Sequence, residues 1–424
     1  MLKKLSTFLF GSMLAQACSG LAGLLLARWM PVADYAIFTV LSMLFGAMVI
    51  LTRGGVPLGV VALLGRTWPD RDRGAEVLCA GLAERRLVSL VVLPFLLAVG
   101  AWLLLRNHAA PWLALLLVGL LLLQWEFDMR SSVIDQVLLF ADRATSLQSV
   151  DTRLNALRLG AVLALFAIGG LNLYTAVAIG VLGAAMRVPM IVRRVSGEVP
   201  LHGARARGDD RSAIRAVVRR QLPLEVFFVF QSQLVLAILA LHGAVFGTAA
   251  LGALAKVDQF LLPTQALFAA FAVPRFASAR SGLFTGWAGW AALGAMPGFA
   301  LVLLTWLFPS LVLFFIGPHY YGLQHEVLAS AVSAAATAAT YNAWQLLANR
   351  GWNHWSWVQV PVVIAWCLAA PLLFHLDRLD GVLWFRAGFP LGLAGAVGVE
   401  LLAAHRQGWL TGAAPGATPA GEGS

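Results

Sequence analysis

RRVSGEVPLHGARARGDDRSAIRAVVRR, residues 193–220, lies between an apolar run at 174–192 and another at 221–241. It carries Arg193, Arg194, Arg205, Arg207, Arg211, Arg215, Arg219 and Arg220. A segment this basic between two apolar runs reads as a cytoplasmic loop of a multi-span membrane protein, because Lys and Arg are held back on the cytoplasmic side. The alternation persists outward from it. Toward the N-terminus the basic residues recur at Arg143, then at Arg66, Arg71, Arg73, Arg85 and Arg86, then at Lys3 and Lys4. Toward the C-terminus they recur at Arg275 and Arg280, at Arg350 and at Arg406, whereas the intervening connections hold Arg28, Arg106 and Arg378. Twenty of the thirty Lys and Arg residues fall on one side and three on the other. Both termini are therefore expected in the cytoplasm.

Composition agrees. With 60% hydrophobic and 12% charged residues and a mean hydropathy of +0.81, the chain does not describe a soluble core inside a solvated surface. A net charge of +10 would fit a nucleic-acid binder only if the basic residues shared one soluble face. Here they punctuate apolar runs, so no nucleic-acid partner is expected. Cys18, Cys79 and Cys367 lie far apart without metal-ligand spacing, so neither a disulfide framework nor a metal site is expected, and no cofactor.

Crossing a hydrocarbon layer of roughly 30 Å takes about 20 apolar residues of helix. About twelve such segments fit, near 5–28, 35–64, 87–105, 112–140, 147–169, 174–192, 221–241, 248–273, 284–308, 323–346, 355–374 and 382–404. The fold class is all-α and polytopic. The basic link at 193–220 divides it into six-helix bundles at 1–192 and 221–406, with a disordered cytoplasmic tail at 407–424 rich in Ala, Gly and Pro. Asp209 and Asp210 stand as N-caps of a basic amphipathic helix on the inner leaflet; the alternative is a solvated loop. Lys3 and Lys4 before an apolar run resemble a signal peptide, but the run continues to Leu26, which favours a true first helix.

Particular motifs narrow the reading. LLARWMPVADYAIFTVL (25–41), with Asp34, Tyr35 and Ala36 after a short turn, precedes LTRGGVPLGVVALLGR (51–66), with Gly54 and Gly55 interrupting the second helix. ALGALAKVDQFLLPTQAL (250–267) echoes the first hairpin, and LFPSLVLFFIGPHYYGL (307–323) holds Gly317, Tyr320 and Tyr321 at a helix turn. Together these resemble bacterial polysaccharide flippases, such as the O-antigen (Wzx-type) flippases, of the multidrug/oligosaccharidyl-lipid/polysaccharide exporter superfamily. The resemblance implies two six-helix bundles around a central cavity in the bacterial inner membrane. It also implies transfer of an undecaprenyl-pyrophosphate-linked oligosaccharide from the cytoplasmic to the periplasmic leaflet, with no covalent chemistry. Membrane lipids and a polysaccharide polymerase or other pathway proteins would be its partners. Two rivals stay open: a membrane glycosyltransferase or polymerase acting on polyprenyl-linked sugars, and a drug exporter of the same superfamily. The first needs a sizeable extracytoplasmic loop, and the connections here are short; no nucleotide-binding glycine loop is present.

Ionisable residues within the expected spans are the site candidates, since each costs roughly 2.5 to 3.5 kcal/mol at mid-membrane and should face the interior. Arg53, directly before Gly54-Gly55, with Arg153, Arg158 and Lys256, is assigned to a cationic lumen that would re-solvate a pyrophosphate, with snorkelling to the cytoplasmic headgroups as the alternative for Arg53. Glu126 and Arg130 stand one turn apart and can neutralise each other, and Asp151 shares a face with Arg158. These three, Glu126, Arg130 and Asp151, and also Asp258, are assigned to gating or ion coupling, with a structural ion-pair lattice as the alternative for the first three. Lys256 and Asp258 are two apart, so they are expected to have different partners. Gln231, Gln233, Tyr341 and Gln345 are assigned to sugar hydroxyls, with interhelical packing as the alternative. Arg187 and Arg386, near span ends, are expected to snorkel.

Overall fold

A computed structural model describes residues 2–107, 109–141, 143–200, 203–241, 245–279, 281–348, 352 and 354–406. The expected disordered tail, Arg280 and Arg350 lie outside them. The chain is an all-helical, multi-pass membrane protein. Its first eight helices are α1 (Leu2–Trp29), α2 (Val32–Arg53), α3 (Val56–Thr67), α4 (Arg71–Arg106), α5 (Pro111–Ile134), α6 (Gln136–Phe140), α7 (Ala144–Ala167) and α8 (Leu173–Val195). Next come α9 (Gly208–Leu241), α10 (Val245–Leu254), α11 (Leu262–Ser278), α12 (Leu283–Leu307), α13 (Pro309–Ile316), α14 (Gln324–Ala348), α15 (Gln359–Leu373), α16 (Leu379–Ala387) and α17 (Pro390–Arg406).

Nine stretches among the described residues are long and apolar enough to cross a membrane. The other three expected spans, 147–169, 221–241 and 323–346, are also helical but for a residue or two at their ends, in α7, α9 and α14. Asp151, Arg153 and Arg158 dilute the hydropathy of α7, and α14 is rich in Ala, Ser and Thr.

Four expected spans are broken; 112–140 divides at Asp135 between α5 and α6, and 382–404 divides at Gly388 and Phe389 between α16 and α17. The segment 35–64 divides at Gly54 (φ 48°) and Gly55 (φ 84°), which end α2 and begin α3. Two successive positive φ values fall where side chains with a Cβ are strained, so the glycines permit a break in the helix that other residues would resist. The segment 248–273 divides into α10, a 3-10 stretch at Ala255–Phe260, and α11, with Pro263 in the first turn of α11. Irregular backbone at membrane depth is tolerated where protein or a water-filled cavity can satisfy the freed amides.

Two compact units form. The first comprises Met1–Lys256 with Phe315–Tyr320, and the second Val257–Phe314 with Tyr321–Ser424. In the first unit α1 packs along α7, α5 along α8, and α2 against α4 and α10, while α9 lies on α3 and α4. In the second, α12 and α14 pair, with α11, α16 and α17 against α14. Lipid tails are as apolar as leucine, so helix association within the hydrocarbon depends on close packing and polar contacts rather than on escape from water. Small residues accordingly meet at contacts, as where Gly298 of α12 would place a Cβ 3.0 Å from Ala335 Cα of α14. One apolar cluster of the first unit draws on seven helices. Val56, Val60 and Leu64 recur one turn apart on α3 and meet Leu78 of α4, Val133 of α5, Val137 of α6, Val150 of α7, Ile191 of α8 and Ile214 of α9.

Candidate functional site

The first unit concentrates its charge between α4, α5, α7 and α8. Arg85 of α4 is fully buried and donates to the Met129 carbonyl at 3.1 Å, to Asp128 Oδ2 at 3.4 Å and to the Ser132 hydroxyl. It therefore belongs to the packed interior rather than to the basic loop where the sequence placed it. The reason is that α4 begins at Arg71, capped by Asp70 accepting from the amides of Asp72 and Arg73, well before the apolar run at 87–105.

Arg187 of α8 is the second anchored guanidinium. Its Nη2 donates to Asp135 Oδ2 at 2.9 Å, its Nε to Asp151 Oδ1 at 3.2 Å and its Nη1 to Ser131 Oγ at 2.8 Å. Asp135 is buried at the junction of α5 and α6 and also accepts from Gln136 at 2.9 Å. Arg187 does not snorkel, contrary to expectation; it is held by two carboxylates on two other helices. Burying an arginine is tolerable on those terms, since breaking such a pair strands a charge in a medium of low polarity.

This arrangement decides the environment of Arg158. Asp151, which shares its face of α7, is taken by Arg187, and Arg158 makes no ion pair or hydrogen bond among the described residues although it is half-buried. Arg153 is exposed and likewise without an ion pair among them, and at five residues' spacing it points about 140° away from Arg158. The two expected substrate arginines of α7 therefore do not share a face. Glu126 and Arg130 pair at 2.7 Å, as their spacing predicts, with Arg86 at 4.0 Å from the same carboxylate. Arg53 is exposed at the last turn of α2.

The link at 193–220 is fastened to α4. Buried Glu84 accepts from Arg211 at 2.8 Å and from Arg215 at 2.9 Å, and Arg73 holds Asp210 through two bonds of 2.9 Å. Glu76 receives Arg73 at 2.6 Å and Arg207 at 2.7 Å. The helix expected after Asp209 is present, but Asp210 pairs with Arg73 instead of capping, and Arg211 and Arg215 turn toward protein.

Lys256 and Asp258 do have different neighbours. The Lys256 ammonium lies against α1, where a Cβ on Gly23 would come 3.4 Å from Nζ. Asp258, in the 3-10 stretch of the second unit, pairs with Arg386 of α16 at 2.5 Å, so Arg386 does not snorkel. Gln231 and Gln345 are half-buried, while the Gln233 side chain lies outside the described ones. Tyr341 is exposed with its ring 5.9 Å from Trp344. Asn342, next to it, is buried and donates to the Gly294 carbonyl at 3.0 Å, a packing bond between α14 and α12. A groove of about 420 Å³ between α11 and α12 is lined by Thr264, Leu267, Phe268, Phe271, Trp290 and Leu293 among others; none of the assigned residues lines it.

Arg187, Arg386, Glu84 and Arg85 are the residues the sequence reading missed. A charged residue within a turn of a span end is ambiguous between the headgroups and a partner on another helix. For Arg386 the signal was available in an unpaired Asp258; for Arg187 it was the surplus of carboxylates at Asp128, Asp135 and Asp151.

No protein-family profile matches the chain, and no curated protein matches it. Solved structures do. An inward-facing multidrug resistance MATE family transporter of the MOP superfamily superposes with a TM-score of 0.67 at 13% identity, covering 92% of this chain and 94% of that one. The lipid II flippase MurJ, in an inward closed conformation, gives 0.67 at 13% identity over 94% of this chain and 87% of that one. An outward-facing MATE transporter gives 0.60 at 13% identity, covering 95% and 94%. The chain thus shares the fold of MOP-superfamily transporters.

Proposed function

We propose that this chain is a flippase that moves an undecaprenyl-pyrophosphate-linked oligosaccharide from the cytoplasmic to the periplasmic leaflet of a bacterial inner membrane. Alternating access between the halves 1–192 and 221–406 would carry it across. The observation behind this reading is Arg158, a half-buried guanidinium on a spanning helix with no carboxylate among the described residues, beside Arg85 and Arg187, which both have one. Its missing counter-charge fits a phosphate, which accepts from the planar fork of an arginine in a bidentate manner. Arg53, Arg153 and Lys256 would act as further cationic contacts along the path. Gln231, Gln233, Tyr341 and Gln345 would meet sugar hydroxyls. Glu126–Arg130 and Arg187–Asp151 would serve as gate pairs, and the Asp258–Arg386 pair would respond to a coupling ion. The fold likeness to a lipid II flippase supports a lipid-linked glycan as cargo. A polysaccharide polymerase or other pathway protein would take the product.

A drug exporter is the second reading, favoured by the equal likeness to MATE transporters. Cationic drugs call for acidic interiors, and an arginine without a carboxylate disfavours them. Reconstitution in liposomes tests both: purified protein should move a polyprenyl-pyrophosphate oligosaccharide between leaflets without changing its mass. Efflux of a cationic dye with no glycan movement would favour the exporter, and a lengthened or transferred glycan would make the protein an enzyme.

A further inference from the structure

Phe315–Tyr320 belongs to the first unit although the chain on both sides of it, Val257–Phe314 and Tyr321 onward, forms the second. Its seat is specific. Gly317 has φ 133°, and a Cβ there would lie 2.8 Å from the Cα of Arg28 at the end of α1, so backbone rests on backbone where only glycine fits. Ile316 and Tyr320, four residues apart, are both buried, while His319 and Tyr321 between and beyond them are exposed. The Tyr320 ring lies 6.2 Å from Phe246 of α10, and buried Tyr35 of α2 is within electrostatic reach.

The seat has one unfavourable feature. The Tyr320 hydroxyl is buried and makes no hydrogen bond among the described residues. A phenol in that position loses its water and gains no partner among the described residues, so the apolar contact of the ring is opposed by the desolvated oxygen. A contact balanced in this way is suited to forming and releasing repeatedly.

We propose that Phe315–Tyr320 is a clasp over the ends of α1, α2 and α10, and that seating Tyr320 closes the extracytoplasmic side while withdrawing it opens that side. The inference rests on the orientation and alternating access proposed above, but its readout is accessibility rather than glycan movement, so the two readings fail separately.

The test places a reporter thiol at Met30→Cys, fully buried and two residues from Arg28, in a full-length protein with Cys18, Cys79 and Cys367 replaced by Ala. A membrane-impermeant thiol reagent is applied from the outside of vesicles. Tyr320→Ala and Gly317→Ala should each raise the labelling rate about tenfold, the scale of shifting a minor open state toward parity. Tyr320→Phe keeps the ring, removes the stranded hydroxyl, and should label more slowly than the parent. A short cleavable crosslink between Phe246→Cys and Tyr320→Cys should hold the reporter unreactive when Met30→Cys is replaced by a non-thiol probe read by fluorescence quenching, with accessibility returning on cleavage. Labelling unchanged in both alanine variants, or a crosslinked protein as accessible as the free one, would overturn the clasp.

Discussion

An arginine at membrane depth needs an anion, and two buried arginines of the first unit meet that need with carboxylates drawn from neighbouring helices. Arg85 meets Asp128, and Arg187 meets Asp135 and Asp151. Removing one partner from such a set strands the others, at a cost of about 3–5 kcal/mol for a buried pair. Arg187→Ala should therefore lower the thermal midpoint of detergent-purified protein markedly, and adding Asp135→Asn and Asp151→Asn should restore part of it. A midpoint that does not move would mean the three-way pairing contributes nothing. Arg158 should behave oppositely, since it has no partner among the described residues to strand. Arg158→Ala should leave the midpoint unchanged or raised while cutting glycan movement about 10- to 100-fold, the worth of a hydrogen bond to a charged group, with Arg158→Lys in between. The α7 pattern was half legible in sequence. That Asp151 would be engaged came from its type and place, but spacing along one helix pointed to Arg158, whereas the partner came from another helix.

At the scale of elements, the apolar runs located the helices because length and hydropathy are local properties. The break after Arg53 was also legible, since Gly54-Gly55 is a local signal. The break at Ala255–Phe260 has a local marker only just past it, in Pro263 of the first turn of α11, whereas the junction at Asp135 has neither glycine nor proline and is set by tertiary contacts. The link at 193–220 read as basic from its composition, but its docking did not, because Glu84 lies more than a hundred residues earlier. Glu84→Ala should free the start of α9 and speed tryptic cleavage at Arg207, Arg211 and Arg215 several-fold. The effect should shrink as salt rises, because Arg211 and Arg215 are about 40% exposed and screened in part. Equal cleavage of variant and parent would show that apolar contacts such as Ile214 hold the helix unaided.

For the molecule as a whole, alternation of basic and non-basic loops set an expected topology, while the apolar runs gave the all-α polytopic class, and solved MOP-superfamily transporters share the chain's fold. Reporter fusions after Arg406 should be active only as cytoplasmic fusions, and those inserted at Arg378 only as external ones; the reverse would invert the orientation. Division of the chain into compact units was less legible. The first unit runs through α9 and α10 to Lys256, past the basic link. Composition marks where a chain meets the cytoplasm, not which helices pack together. The central claim is that an anionic lipid-linked glycan crosses beside Arg158. It is tested most directly by following leaflet exposure of a polyprenyl-pyrophosphate oligosaccharide in liposomes holding the parent, Arg158→Ala, or no protein. Movement with the parent alone, and with the glycan's mass unchanged, is the predicted result; equal movement with parent and Arg158→Ala would contradict it.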